Sequence, residues 1–244
     1  AQVDPSLPLP EYPRPQLVRE SWLNLNGLWQ YAIKPRTESA PAAFEGNILV
    51  PFPVESALSG VGKNVGKDNR LWYRRTVTLP ASYKNKLALL HFGAVDWECE
   101  VYVNGKKAGA HRGGYDPFTL DISPYLKSGQ QEILVSVWDP SDEGPQPRGK
   151  QVNKPRSIWY TPVTGIWQTV WMEGVPKTYI ASTKQTPDID LQQLQVSASV
   201  HNLQAGDRIR ISAWNGNQKI TEQILEGTTG TLSINNPTLW SPSN

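Results

Sequence analysis

The chain has 244 residues, a formal net charge of +2, 21 prolines, 19 glycines, ten tryptophans, one methionine and one cysteine. A balance this near neutral gives no reason to expect nucleic acid or an anionic membrane as partner. The lone Cys99 excludes an internal disulfide, no apolar run reaches the roughly 20 residues of a membrane span, and turn residues without a long helical period point to an all-β chain of one or two domains.

The clearest pattern runs from His91 to Asp139. Trp97, Cys99, Val101 and Val103 alternate with Asp96, Glu98, Glu100 and Tyr102, which predicts a strand with one buried and one wet face. Solvated charge is therefore the expectation for Asp96, Glu98 and Glu100, and a small core residue the expectation for Cys99. Asn104-Gly105 follows at once, a pair suited to the positive φ angles of a type I′ hairpin. The chain then turns at Gly113-Gly114, runs through Phe118, Leu120 and Ile122, breaks at Ser123-Pro124, and alternates again at Ile133, Val135 and Val137. Together these segments predict an antiparallel β-sandwich.

From Trp138 to Ser157 the sequence is WDPSDEGPQPRGKQVNKPRS, with no apolar period. Connections longer than about 12–15 residues without structure of their own are usually functional or disordered. This one is rich in hydrogen-bonding side chains: Asp139, Asp142, Gln146, Arg148, Lys150 and Gln151. A solvated crossover loop is the competing reading. Cation binding by Asp139, Asp142 and Glu143 is a minor one, because no calcium-loop spacing accompanies them. His91, His111 and His201 have no metal-ligand spacing, and no nucleophile-elbow motif appears. No cofactor, metal or catalytic residue is assigned.

A boundary is predicted near Gly174-Val175-Pro176, giving domains 1–176 and 177–244. Beyond it Leu194 to Val200, Ile209 to Ala213, Lys219 to Leu225 and Thr231 to Ile234 read as strands, with Asn215-Gly216 turning the second into the third. The opening Ala1-Gln2-Val3 lacks an initiator Met, so a mature periplasmic or secreted product, cut after a signal sequence, is expected.

The segments VYVNGKKAG and GGYDPFTLDISPYLKSGQQEILVSVWD closely resemble the N-terminal sugar-binding jelly roll of glycoside hydrolase family 2, which includes β-galactosidases, β-glucuronidases and β-mannosidases. Pro13 to Tyr31 is similar to the family's opening strand, Leu71 to Pro80 to the strand after its first long loop, and Ser157 to Glu173 to its last strands. Thr178 to Asn244 resembles the immunoglobulin-like domain that follows. The ending NPTLWSPSN looks like the phrase before that domain's closing strands, so an incomplete second sandwich is expected. The resemblance thus implies a galactose-binding-like jelly-roll β-sandwich followed by an incomplete immunoglobulin-like one.

The resemblance also implies where chemistry would lie. In the family two glutamates on a (β/α)₈ barrel perform retaining hydrolysis, and the acid/base sits in an Asn-Glu dipeptide. No Asn of this sequence is followed by Glu, and a barrel needs about 250 residues of alternating strand and helix. The implied role is non-catalytic: scaffolding the barrel, which is the expected partner, and lending a loop to its β-linked glycoside. In the family an acidic residue after the strand ending here at Trp138 contacts the sugar. That role is carried onto Asp139 or Asp142, with Trp159 or Tyr160 as apolar wall. A free-standing lectin and a sandwich with no sugar ligand are the alternatives.

Overall fold

The structure, a computed structural model, describes residues 4–243; the expected outer domain limits at residues 1 and 244 lie outside them. The chain packs as two compact units that divide between Val175 and Pro176. Among the described residues, helix is confined to single 3₁₀ turns.

The first unit contains β1 (Trp22–Asn24), β2 (Gly27–Pro35), β3 (Gly46–Val50), β4 (Asn69–Thr78), β5 (Leu87–Phe92), β6 (Val95–Asp96), β7 (Glu98–Val103), β8 (Lys106–Arg112), β9 (Phe118–Asp121), β10 (Gln130–Trp138), β11 (Gly165–Ile166) and β12 (Val170–Val175). One sheet has the order β3-β2-β4-β10-β7-β8 and the other β1-β12-β5-β9, while β6 and β11 pair by themselves. Between the sheets lie Trp29, Tyr73, Leu90, Phe92, Ile133 and Met172, all essentially removed from solvent. Each large side chain buried this way contributes about 1.5–3 kcal/mol.

The period-2 pattern holds where expected. Cys99, Val101 and Val103 of β7, and Ile133, Val135 and Val137 of β10, are fully buried, while Glu98, Glu100 and Tyr102 are not. At the β7–β8 hairpin Val103 faces Lys106, with Asn104 at φ 50° and Gly105 at φ 78°, the left-handed pair of a type I′ turn. The Asn104 side chain fixes that turn to its neighbours, donating to Tyr125 O and Gln131 Oε1 and accepting from Glu132 N.

Asp96 departs from the pattern. The expectation of a solvated charge fails, since Asp96 is only 3% exposed. Its strand is not the start of β7: β6 pairs with β11, Asp96 facing Gly165, and β7 joins β10 only from Glu98 onward. The chain changes sheets between them, so the alternation cannot be carried back past Glu98.

The second unit has β13 (Tyr179–Asp188), β14 (Gln193–His201), β15 (Ile209–Asn215), β16 (Gln218–Leu225) and β17 (Thr229–Ser233). They form one sheet of order β13-β14-β17 and a β15–β16 hairpin. The hairpin turn sits one residue later than expected: Asn215 pairs with Gln218, and Gly216 takes φ 54° between them. Positive φ at the first central position alone is the type II′ pattern. The core is Ala198, Ile209 and Leu225, flanked by Ile180, Val200 and Ile211, much smaller than that of the first unit.

Candidate functional site

The segment between β10 and β11 is built on a polar root. Trp138 ends β10 with its indole N–H donated to Lys67 O at 2.7 Å and the Arg36 guanidinium 3.8 Å over its ring. Asp139 follows, 2% exposed, and its carboxylate accepts from Ser141 N (2.7 Å) and from the Thr164 hydroxyl (2.7 Å). Gln146 returns to the same place, donating to Ser141 O at 2.7 Å. Both ends of the loop therefore close on Asp139. Burial pushes its carboxyl above the ordinary range, against the pull of these hydrogen bonds.

Two further carboxylates serve the same loop. Glu55 Oε2 accepts from Thr164 N at 3.0 Å. Asp96 Oδ2 accepts from Gln151 Nε2 at 3.1 Å, and Gln151 Oε1 in turn accepts from Val163 N. Desolvation, with the charge of Asp139 adding repulsion, pushes both Glu55 and Asp96 up to about 7. Gly114 lies so close to Asp96 that a Cβ there would sit 2.5 Å from Oδ1. Gly165 is constrained twice: at φ 94°, and with a Cβ position 2.0 Å from the Tyr73 hydroxyl, which accepts from Ile166 N.

The loop's outer part is different. Tyr160 bridges to Gln151, with Tyr160 N donating to Lys150 O and Val152 N to Tyr160 O. This brings the chain back on itself and leaves Trp159 37% and Tyr160 65% exposed. Asp142, half-buried, accepts from Asn153 N (3.1 Å) and Asn153 Nδ2 (2.6 Å). An open groove of about 600 Å³ is lined here by Asp142, Arg148, Asn153, Lys154, Arg156 and Trp159, among others.

Of the residues singled out from sequence, Asp142 and Trp159 meet at this groove. Asp139 turns inward and holds the loop's two ends. Asp139, Asp142 and Glu143 do not converge, since Glu143 pairs with Lys67 at 2.7 Å. Sequence reasoning missed Glu55, which carries no local signal, and misplaced Asp96; Thr164 could have been suspected only from its position before the Gly165-Ile166-Trp167 turn. The arrangement can position and bind. Its buried carboxylates are committed to backbone and side-chain donors of the loop.

Comparison with known proteins bears on what is bound. Residues 46–173 match the family model described as "Glycosyl hydrolases family 2, sugar binding domain". The chain is 30% identical over 241 residues to a putative β-glucuronidase of Formosa agariphila, covering 89% of this chain and 27% of that protein. It is 33% identical over 156 residues to a β-galactosidase of Thermoanaerobacter pseudethanolicus, covering 63% of this chain and 19% of that one. Among solved structures, a Lactobacillus rhamnosus β-glucuronidase superimposes with a TM-score of 0.71 at 22% identity, over 94% of this chain and 40% of that one; at that identity the likeness speaks for the fold. The chain spans less than a third of the length of the first two relatives. The chain belongs to glycoside hydrolase family 2, and the sandwich carrying the groove is that family's sugar-binding domain.

Proposed function

We propose that these residues are the non-catalytic N-terminal part of an exported retaining β-glycosidase, packing against a catalytic (β/α)₈ barrel encoded elsewhere in the same protein. The loop between β10 and β11 reaches that barrel's sugar site. Asp142 accepts hydrogen bonds from sugar hydroxyls, and Trp159 with Tyr160 forms the apolar wall. Asp139 supports them from beneath. One observation carries the reading: the loop is clamped at its root by two buried carboxylates, Asp96 and Asp139, and the half-buried Glu55, while its outer part carries the half-buried Asp142 and two exposed aromatic rings. A rigid root with an exposed, chemically varied tip suits a contributed binding loop.

Asp142→Asn in the longer enzyme tests it. A carboxylate bonded to hydroxyls contributes about 1.5–3 kcal/mol, so kcat/KM should fall about ten- to hundredfold with melting unchanged. Wild-type kcat/KM in Asp142→Asn and Trp159→Ala together would reduce the loop to a crossover. The 244-residue chain by itself should release no nitrophenol from nitrophenyl β-glycosides, because it has no pair of catalytic carboxylates for the displacement.

A further inference from the structure

Most arginines of the first unit, and several of its lysines, are committed. Arg14 and Arg19 pair with Glu173, Lys63 with Glu45, Lys67 with Glu143, Lys107 with Glu100 and Arg112 with Glu98. Arg74 donates to Gln30, and Arg75 to the carbonyls of Leu25 and Asn26. The groove beside Trp159 breaks this economy. Arg148, Lys154 and Arg156 all line it, and among the described residues none has an ion pair or a side-chain hydrogen bond. Arg148 Nε is moreover buried and, among the described residues, has no hydrogen-bond partner. A buried guanidinium donor left unpaired costs free energy, which a ligand acceptor would recover. The groove's own carboxylates do not fill the need, because Asp142 is engaged by Asn153 and Glu143 by Lys67.

An indole at the same groove narrows the ligand further. A bare anion or an acidic peptide has no use for an aromatic face, whereas the apolar face of a pyranose stacks on one while its acid group meets a guanidinium fork. A groove of about 600 Å³ is of ordinary size for a small-ligand site. We propose that this groove binds an acidic saccharide unit, carboxylated or sulfated, with Arg148, Lys154 and Arg156 on the acid group and Trp159 under the ring. The inference rests on the sugar-facing reading of the loop and deepens it by assigning the charge class of the glycan.

Calorimetric titration of the 244-residue chain with an oligogalacturonate, a chondroitin sulfate oligosaccharide, a neutral cello-oligosaccharide and poly-glutamate separates the outcomes. At least one acidic saccharide should bind, weakening as NaCl rises from about 50 to about 500 mM, and the neutral one should bind at least about tenfold more weakly. Which acidic saccharide binds better tells carboxylate from sulfate. Arg148→Gln with Arg156→Gln should cost about tenfold or more, and Trp159→Ala a comparable loss. If the double variant does not fold, Lys154→Gln with Arg156→Gln, both on exposed residues, takes its place. Equal binding of the neutral saccharide, lost in Trp159→Ala, would sink the charge assignment and leave the sugar reading standing. Binding of no saccharide at millimolar concentration would overturn the inference and leave the loop's part in the barrel's site to the kcat/KM test in the longer enzyme. Equal binding of poly-glutamate, or acidic-saccharide binding indifferent to the arginine substitutions in folded protein, would also overturn the inference.

Discussion

Two groups of buried carboxylates sit in the same jelly roll and are held in opposite ways. Glu173 of β12 is fully buried against two arginines, Arg14 Nη2 at 2.8 Å and Arg19 Nε at 2.9 Å, with the Tyr12 hydroxyl donating to it and His91 Nε2 3.2 Å away. Burial raises its carboxyl, but hydrogen bonds from His91 and Tyr12 and the neighbouring charges outweigh it and hold the group at about 2. Asp96 and Asp139 are buried and Glu55 half-buried, all three with neutral donors, and among the described residues none forms an ion pair. Desolvation then wins, and Glu55 and Asp96 rise to about 7. The first group is a permanent ion that ties the segment before β1 to β5 and β12. The second is a set of removable charges, each bonded to the loop that carries the groove. Burial alone does not decide a carboxylate's state; the charge of its donors does.

The largest effect should come from removing the permanent ion. Glu173→Ala removes the carboxylate that the partly buried Arg14 and Arg19 both pair with. Breaking such a pair from one side costs about 3–5 kcal/mol, and the partial exposure of the arginines places this one at about 3. For a unit of this size that lowers the melting temperature by roughly 6–12 °C. A variant melting with the wild type would mean that Glu173 is no structural joint, and the contrast would lose its first half. Asp139→Ala comes next, about 1–3 kcal/mol, because Ser141 N and the Thr164 hydroxyl lose a buried acceptor. Its signature should be local, with faster proteolytic cleavage between residues 141 and 163 than elsewhere.

The two groups should also act oppositely on stability as pH changes. A carboxyl raised by folding binds its proton more tightly in the native state, so its contribution is full below the unfolded value and is lost as pH rises through the folded one. For Asp96 that window runs from 3.8 to about 7, and for Glu55 from 4.5 to about 7. Glu173, depressed, contributes fully above 4.5 and loses its contribution as pH falls toward about 2. Urea midpoints measured against pH should therefore decline along both limbs. Asp96→Asn should flatten the limb between about pH 4 and 7 and leave the acid limb intact, while Glu173→Gln should do the reverse. Identical pH profiles in the two variants would refute the distinction.

How much of this the sequence disclosed follows from the range of the forces involved. β7, β10 and the hairpin at Asn104-Gly105 were legible because alternation and turn chemistry are written within a dozen consecutive residues. β13 was not, since most of its residues face solvent and Pro187 interrupts any strand signal. The Trp159–Tyr160 pair was legible as aromatic, and its exposure was not, because an isolated bridge to Gln151 sets it. Asp96 looked wet by parity and is dry because the chain changes sheets beside it. Glu55 meets Thr164 from across 109 residues, a closeness that no local pattern encodes. The acid proposed to face the sugar and the acid that supports it, Asp142 and Asp139, lie three residues apart and look alike in sequence; only their donors tell them apart.

That last distinction gives the smallest and most discriminating prediction. Asp142 is half-buried and, among the described residues, accepts only from Asn153, a neighbour across the same loop. Replacing it by Asn leaves an acceptor oxygen in place, and Asn153 can turn to water, so the expected cost is about 0.5 kcal/mol, within the range of ordinary surface substitutions. Asp139→Asn changes a carboxylate whose donors come from both ends of the loop, and Asn must present an amide hydrogen where a buried oxygen now accepts. It should cost about 1–2 kcal/mol. Hydrogen exchange of the Ser141, Gln151 and Val163 amides reads the difference directly, because opening of the root exposes all three together. Protection should drop in Asp139→Asn and stay within error in Asp142→Asn. Equal loss in both would mean that the loop opens as one piece from its tip, and that the carboxylates beneath it do not act as a clamp.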